Sequence, residues 1–129
     1  MSKNKASVVI VDDNDMMRTI LRSILRGDEY NVIGEARNGA QAVEIVERMQ
    51  PDIVCMDVMM PEKNGLEAMA EIRQKFPETE FIMITGNADP ETVQDAISNG
   101  ACGFIVKPFN AARVLDALQR AASRIRQRH

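Results

Sequence analysis

Val8-Val9-Ile10-Val11-Asp12-Asp13 runs four branched aliphatic residues straight into two acids. Branched side chains favour extended backbone, and an unbroken apolar run, rather than an alternating one, fits a strand covered on both faces. Two further runs have the same design: Ile53-Val54-Cys55-Met56 ends in Asp57, and Gly103-Phe104-Ile105-Val106 ends in Lys107 just before Pro108. Laid side by side as parallel strands, they bring three acids and one base to the carboxyl edge of one sheet, where open α/β sheets hold their ligands. Crowded carboxylates repel and raise at least one pKa unless a cation joins them. A divalent metal is the simplest such cation.

Outward from these runs, apolar stretches alternate with helical periodicity five times, the pattern of βα repeats around a parallel sheet. The spacing predicts strands near 7–12, 31–36, 52–57, 80–85 and 103–106, the second an edge and the other four covered on both faces. Helices are predicted over 15–26, 39–49, 64–75, 90–98 and 110–126. Their inward stripes are Met17, Ile20, Leu21, Ile24 and Leu25 in the first and Ala42, Val43, Val46 and Met49 in the second. Leu66, Met69, Ala70 and Ile72 serve the third, Val93, Ala96 and Ile97 the fourth, and Val114, Leu115, Leu118, Ala121 and Ile125 the fifth. Gly27 reads as the stop of the first helix, and Asp89 and Asn110 as caps of the last two. The fourth helix has a thin stripe and is expected to be among the more mobile elements.

A chain of 129 residues suits one domain, expected to span 1–129. With 45% hydrophobic and 27% charged residues it is ordinary for a globular protein, and no apolar run reaches the roughly 20 residues a membrane helix needs. Nothing at the N-terminus reads as a signal peptide, so a cytoplasmic location is expected. Cys55 and Cys102 have no neighbouring cysteine or histidine and read as buried reduced thiols. The one histidine, His129, is the last residue, which excludes histidine catalysis and most transition-metal chemistry. A net charge of −3 argues against a domain built to hold nucleic acid. Arg18, Arg22 and Arg26, and the tail Arg120, Arg124, Arg126 and Arg128, read as solvated helix faces.

Asp13 and Asp57, with a backbone carbonyl just after Asp57, would offer a hard cation such as Mg2+ three oxygen ligands and leave room for water and a phosphate. The Asp57 carboxylate then faces phosphorus as a nucleophile, and Lys107 neutralises a phosphoryl oxygen, the arrangement that makes an aspartyl phosphate. Thr85 ends Ile82-Met83-Ile84-Thr85 at the same edge, where its hydroxyl would donate to that phosphoryl group. Drawing Thr85 inward would vacate space for Phe104, turning a local charge into a surface change. Taken singly, each residue has a plainer reading: helix cap for Asp12 and Asp13, turn former for Asp57, surface turn for Lys107-Pro108, core for Phe104. All at strand ends and in this order, they form one site.

Val11-Asp12-Asp13 with Met17-Arg18, Met56-Asp57 with Met60-Pro61 and Gly65, Ile84-Thr85-Gly86, Gly100-Ala101 and Lys107-Pro108-Phe109 together resemble the receiver domain of two-component response regulators, over nearly the whole chain. The resemblance implies a doubly wound, flavodoxin-like α/β fold, its five-stranded parallel sheet ordered 2-1-3-4-5. It implies phosphorylation of Asp57 by a sensor histidine kinase or a phosphotransfer protein. It also implies Mg2+ held by Asp13, by Asp12 through water and by the Met59 carbonyl. Lys107 matches the family lysine, joined to Pro108 by a cis bond, and Thr85 and Phe104 match the switch pair. Met59 and Asn87 occupy the two positions that tune dephosphorylation; Met59 has no group to orient a water, so a long phosphoryl lifetime is expected.

The chain is most similar to stand-alone chemotaxis-type receivers, although Val58 and Phe104 stand where the motor-binding type carries Trp and Tyr. A receiver belonging to a longer regulator with a DNA-binding or enzymatic output domain is the alternative. An Mg-dependent aspartyl-phosphate phosphatase is a distant one, since Met59 stands where its general acid would be. A flavin site is disfavoured by the acidic first loop, the lack of Trp and the single Tyr30. The resemblance implies a monomer, or a phosphorylation-linked dimer. Its output face is helix four, strand five and helix five, including Gln94, Ser98, Phe104, Asn110 and Arg113. Kinase docking would use helix one and the loop after strand five, with Arg18 and Arg22 facing solvent.

Overall fold

Five parallel strands in the order β2-β1-β3-β4-β5 carry the fold in the computed structural model, which describes residues 5–26, 30–86 and 89–128. The chain alternates β1 (Ala6–Val11), α1 (Asp15–Arg26), β2 (Tyr30–Ala36), α2 (Gly39–Met49), β3 (Ile53–Met56), α3 (Gly65–Lys75), β4 (Glu80–Thr85), α4 (Pro90–Ser98), β5 (Gly103–Val106) and α5 (Ala111–Arg128). These bounds follow the sequence expectations to within a residue or two. Gly27 and His129 lie outside the described residues.

Successive strand residues point to opposite faces, so each run feeds two cores. Val9, Val11, Val54, Met56, Phe81 and Met83 pack under α2, α3 and α4 through Ala42, Val43, Val46, Ala68, Met69, Ile72 and Ala96. Val8, Ile10, Ile53, Cys55, Ile82, Ile84 and Ile105 pack under α1 and α5 through Leu21, Leu25, Val114, Ala117, Leu118 and Ala121. Within β1, β3 and β4 the runs Val8–Val11, Ile53–Met56 and Phe81–Ile84 are thus apolar without a break because both faces of those strands are covered.

An Asn or Asp accepts from the first turn of every helix: Asn14 from Met17 N–H, Asn38 from Gln41, Asn64 from Glu67, Asp89 from Thr92 and Asn110 from Arg113. The capping role that Asp12 and Asp13 could have played therefore falls to Asn14. At α3 the cap is reciprocal, since the Glu67 side chain accepts from Asn64 N–H.

Three expected core residues lie outward instead: Ile20 is 39%, Met49 41% and Ile97 56% exposed. Each stands at the margin of its helix, where the inward arc is filled by neighbours that let the backbone approach the sheet, among them Ala96 for Ile97. Ala68, Ala117 and Ala122 were not expected inside and are buried. β5 is not covered on both faces: it is the second edge, and Val106 is 45% exposed. Cys55 is buried, which pushes its thiol up to about 12, whereas Cys102 is only half-buried; neither forms a disulfide.

Candidate functional site

The carboxyl ends of β1, β3, β4 and β5 converge as expected, and backbone bonds fix their relative height. Asp12 N–H donates to the Ala36 carbonyl at 3.1 Å, Asp57 N–H to Val11 at 3.0 Å and Lys107 N–H to Thr85 at 2.9 Å. One carboxylate oxygen from each of Asp12, Asp13 and Asp57 lies within 4.8 Å of the other two, the one such cluster among the described residues. Asp12 and Asp57 are buried and Asp13 is exposed, so the group opens to solvent on one side. Oxygen-only donors with one open flank suit a hard divalent cation that keeps several waters.

Lys107 binds the buried pair together, its Nζ 2.8 Å from Asp12 Oδ2 and 3.1 Å from Asp57 Oδ2. The remaining oxygens are held by backbone: Asn14 N–H donates to Asp12 Oδ1 at 2.9 Å, and Met59 N–H to Asp57 Oδ1 at 3.1 Å. Burial pushes the Asp57 carboxyl above the ordinary aspartate value; the charge of Lys107 and the hydrogen bonds from Lys107 and Met59 pull it back only in part. Asp12 adds the smallest upward push, so desolvation, rather than the carboxylate crowding expected from sequence, dominates. Burial also opposes the charge on Lys107, but its hydrogen bond to Asp12 and the facing carboxylates outweigh it and leave its pKa raised.

The Asp57 backbone sits against Gly65, where an added Cβ would lie 2.2 Å from the Asp57 carbonyl oxygen, and Gly65 N–H donates to Val58 at 2.9 Å. Only glycine lets the first turn of α3 close onto the loop carrying Asp57. Thr85 is fully buried at the end of β4. Phe104 is half-buried against the core under α2, α3 and α4. The Lys107–Pro108 peptide is cis. The Met59 side chain stands at the rim, 58% exposed. Asn87 lies outside the described residues.

One sequence expectation changes here. Arg18 does not face solvent: its side chain is 12% exposed and reaches Glu35, Asp15 and the Asp12 carbonyl. Arg22 is tied to the same Glu35. Glu35 and Asn14 were not singled out from sequence. An Asn two residues after an acid at a strand end is a cap signal, but the partner of Arg18 emerges only from the pairing of β1 with β2.

The chain matches the response regulator receiver domain over residues 8–119 and belongs to that family. It is a phosphorylation-dependent switch of two-component signalling, and its fold and motif set are those of the CheY-like receivers. It is 46% identical over 115 residues to the chemotaxis protein CheY of Listeria monocytogenes, covering 89% of this chain and 97% of that one. It is 44% identical over 113 residues to CheY of Bacillus subtilis, covering 88% and 94%. Among solved structures it resembles the CheX–CheY–BeF3–Mg2+ complex of Borrelia burgdorferi, with 31% identity and a TM-score of 0.85 over 88% of this chain and 87% of that one. No helix among the described residues is long and apolar enough to cross a membrane.

Proposed function

We propose that Asp57 is the phosphoacceptor of a single receiver domain, taking its phosphoryl group from a phosphohistidine on a sensor histidine kinase or phosphotransfer protein. The main support is the setting of Asp57, buried and held by Lys107 at 3.1 Å and by Met59 N–H at 3.1 Å beside two further carboxylates. An Asp57 oxygen bonds to phosphorus as the P–N bond breaks, and the imidazole leaves with its electron pair. Lys107 neutralises charge on the phosphoryl oxygens. Asp13, Asp57, the Met59 carbonyl and, through water, Asp12 would hold Mg2+, which supplies positive charge beside the phosphoryl group. The domain catalyses nothing beyond its own phosphorylation and dephosphorylation.

Thr85 then turns its hydroxyl to the phosphoryl group and Phe104 moves inward, biasing an existing equilibrium of the α4–β5–α5 face. Gln94, Ser98, Asn110 and Arg113 are exposed there, with Gln94 donating to Ser98 at 3.0 Å. A groove of about 520 Å³ between β5 and α5 includes Phe104, Asn110 and Arg113. That face would receive a downstream protein, in a chemotaxis pathway of the kind the CheY relatives serve, with the domain acting as a cytoplasmic monomer. Met59 carries no group to orient water, so Met59→Asn should shorten the phosphoryl lifetime about tenfold, less than the roughly 10²–10⁴-fold of a true general acid or base because an amide orients water without taking its proton; loss of radiolabel from the purified phosphoprotein measures it.

Amide resonances recorded before and after beryllofluoride and Mg2+ test the switch. Shifts at Thr85, Phe104 and along α4 support it. Shifts confined to the neighbours of Asp57 contradict it.

A further inference from the structure

Arg18 is the one cation of the α1 basic stripe that reaches the backbone of the acidic site. Its Nη1 donates to the Asp12 carbonyl at 2.5 Å, its Nε to Glu35 at 3.2 Å, and its Nη2 pairs with Asp15. Glu35, on β2, is also held by Arg22. The guanidinium is thus nearly buried between the end of β1, the edge strand β2 and the first turn of α1.

The bond to the Asp12 carbonyl has a particular consequence. A peptide unit is planar, so the oxygen of Asp12 lies in one rigid plane with the Cα atoms of both Asp12 and Asp13. Holding that oxygen fixes the plane from which two of the three clustered carboxylates project. The Asp12 side chain is already pinned by Asn14 N–H and Lys107, at 2.9 and 2.8 Å. Asp13 is exposed, and among the described residues its carboxylate has no hydrogen-bond or ion-pair partner, so its direction depends on its backbone.

We infer that Arg18, locked by Glu35 and Asp15, is a positioning residue for divalent-cation binding: it sets the Asp12–Asp13 peptide plane and so the aim of Asp13. This rests on the reading of Asp12, Asp13 and Asp57 as the Mg2+ site. A flat fork with five donors serves three acceptors at once, which the point charge of lysine does not reproduce. Groups that orient metal ligands typically change metal affinity or activity by 10–100-fold when removed.

Geometry and simple charge predict opposite signs, and this makes the inference testable. Removing a positive charge beside a cation site tightens binding by Coulomb's law alone; removing the positioning weakens it. The experiment is calorimetric titration of Mg2+ into wild type, Arg18→Lys, Arg18→Ala and Arg22→Ala, with melting temperatures in EDTA and acetyl-phosphate labelling rates at limiting and saturating Mg2+. Arg18→Lys and Arg18→Ala should both raise the Mg2+ dissociation constant roughly tenfold. Saturating Mg2+ should recover most of the labelling rate, and Arg22→Ala, which touches Glu35 and Thr19 but not Asp12, should keep wild-type affinity. Unchanged or tighter Mg2+ binding in the Arg18 variants overturns the inference, even if they melt lower, because that pattern is a structural tie alone. Equal weakening in Arg22→Ala also overturns it. A wild type that binds no Mg2+ overturns the site reading itself, a result distinct from both.

Discussion

The two edges of the sheet border the same acidic site and are held very differently. On the β2 side, Glu35 is clamped by Arg18 and Arg22, Ala36 accepts from Asp12, and α2 buries Ala42, Val43 and Val46. The N-terminus of α2 is also tied to the loop after β3, with Gly39 N–H donating to Lys63 at 3.1 Å. On the β5 side, α4 buries only Ala96, while Ile97 and Val106 are 56% and 45% exposed. Lys107 links the loose edge to Asp12 and Asp57 at the ends of the interior strands β1 and β3. Acids that are to bind a cation need fixed geometry and the proposed output face needs freedom to move, and the structure is firmer on the β2 side of the acids and looser on the β5 side.

Cutting the link has one of the two largest expected effects. Lys107→Met keeps most of the stem and leaves Asp12 and Asp57 buried without their counter-ion. It should cost about 2 kcal/mol in EDTA, less than breaking a fully buried pair. Millimolar Mg2+ should recover part of that loss by supplying the missing charge; melting curves with and without Mg2+ measure both, and a variant indifferent to Mg2+ would break the comparison.

Truncation on each side sharpens it. Val46→Ala, at a fully buried position of α2, should cost about 2 kcal/mol through lost burial and a cavity. Ile97→Ala on α4 removes more atoms yet should cost under about 0.5 kcal/mol, because the side chain is mostly in water. Urea denaturation of the two variants decides whether the edges differ as described.

An effect of opposite sign, a gain in stability, is expected between them, at Asp57. Because burial raises its pKa in the folded state, its contribution to stability is fully present below the unfolded value of about 4 and is lost as pH rises through the folded value. Asp57→Asn removes the charge at every pH. It should therefore melt above wild type near neutrality. The gain should vanish toward pH 4. A gain that persists there would assign it to some other cause.

What was legible in the sequence follows the same division. β1, β3 and β4 read clearly because strands covered on both faces carry unbroken apolar runs, and four candidate site residues, Asp12, Asp57, Thr85 and Lys107, read clearly because each ends or follows an apolar run. β5 has the same composition but only partial cover, so its apolar residues gave no warning that Val106 faces solvent. Arg18 was misread for another reason. Its four-residue spacing from Arg22 and Arg26 is that of a solvated stripe, and Glu35, 17 residues away, meets it only through the β1–β2 register. The cause of the raised Asp57 pKa was hidden likewise, since desolvation depends on how deep a side chain lies, which spacing along the chain does not encode.

The most direct test of the site is intact mass after incubation with acetyl phosphate and Mg2+, comparing wild type, Asp57→Asn and an EDTA control. A gain of one phosphoryl group by wild type alone, lost in EDTA, is the expected result. Equal labelling of Asp57→Asn, or no labelling of a folded wild type that binds Mg2+, would contradict the assignment of Asp57 as the residue on which the switch turns.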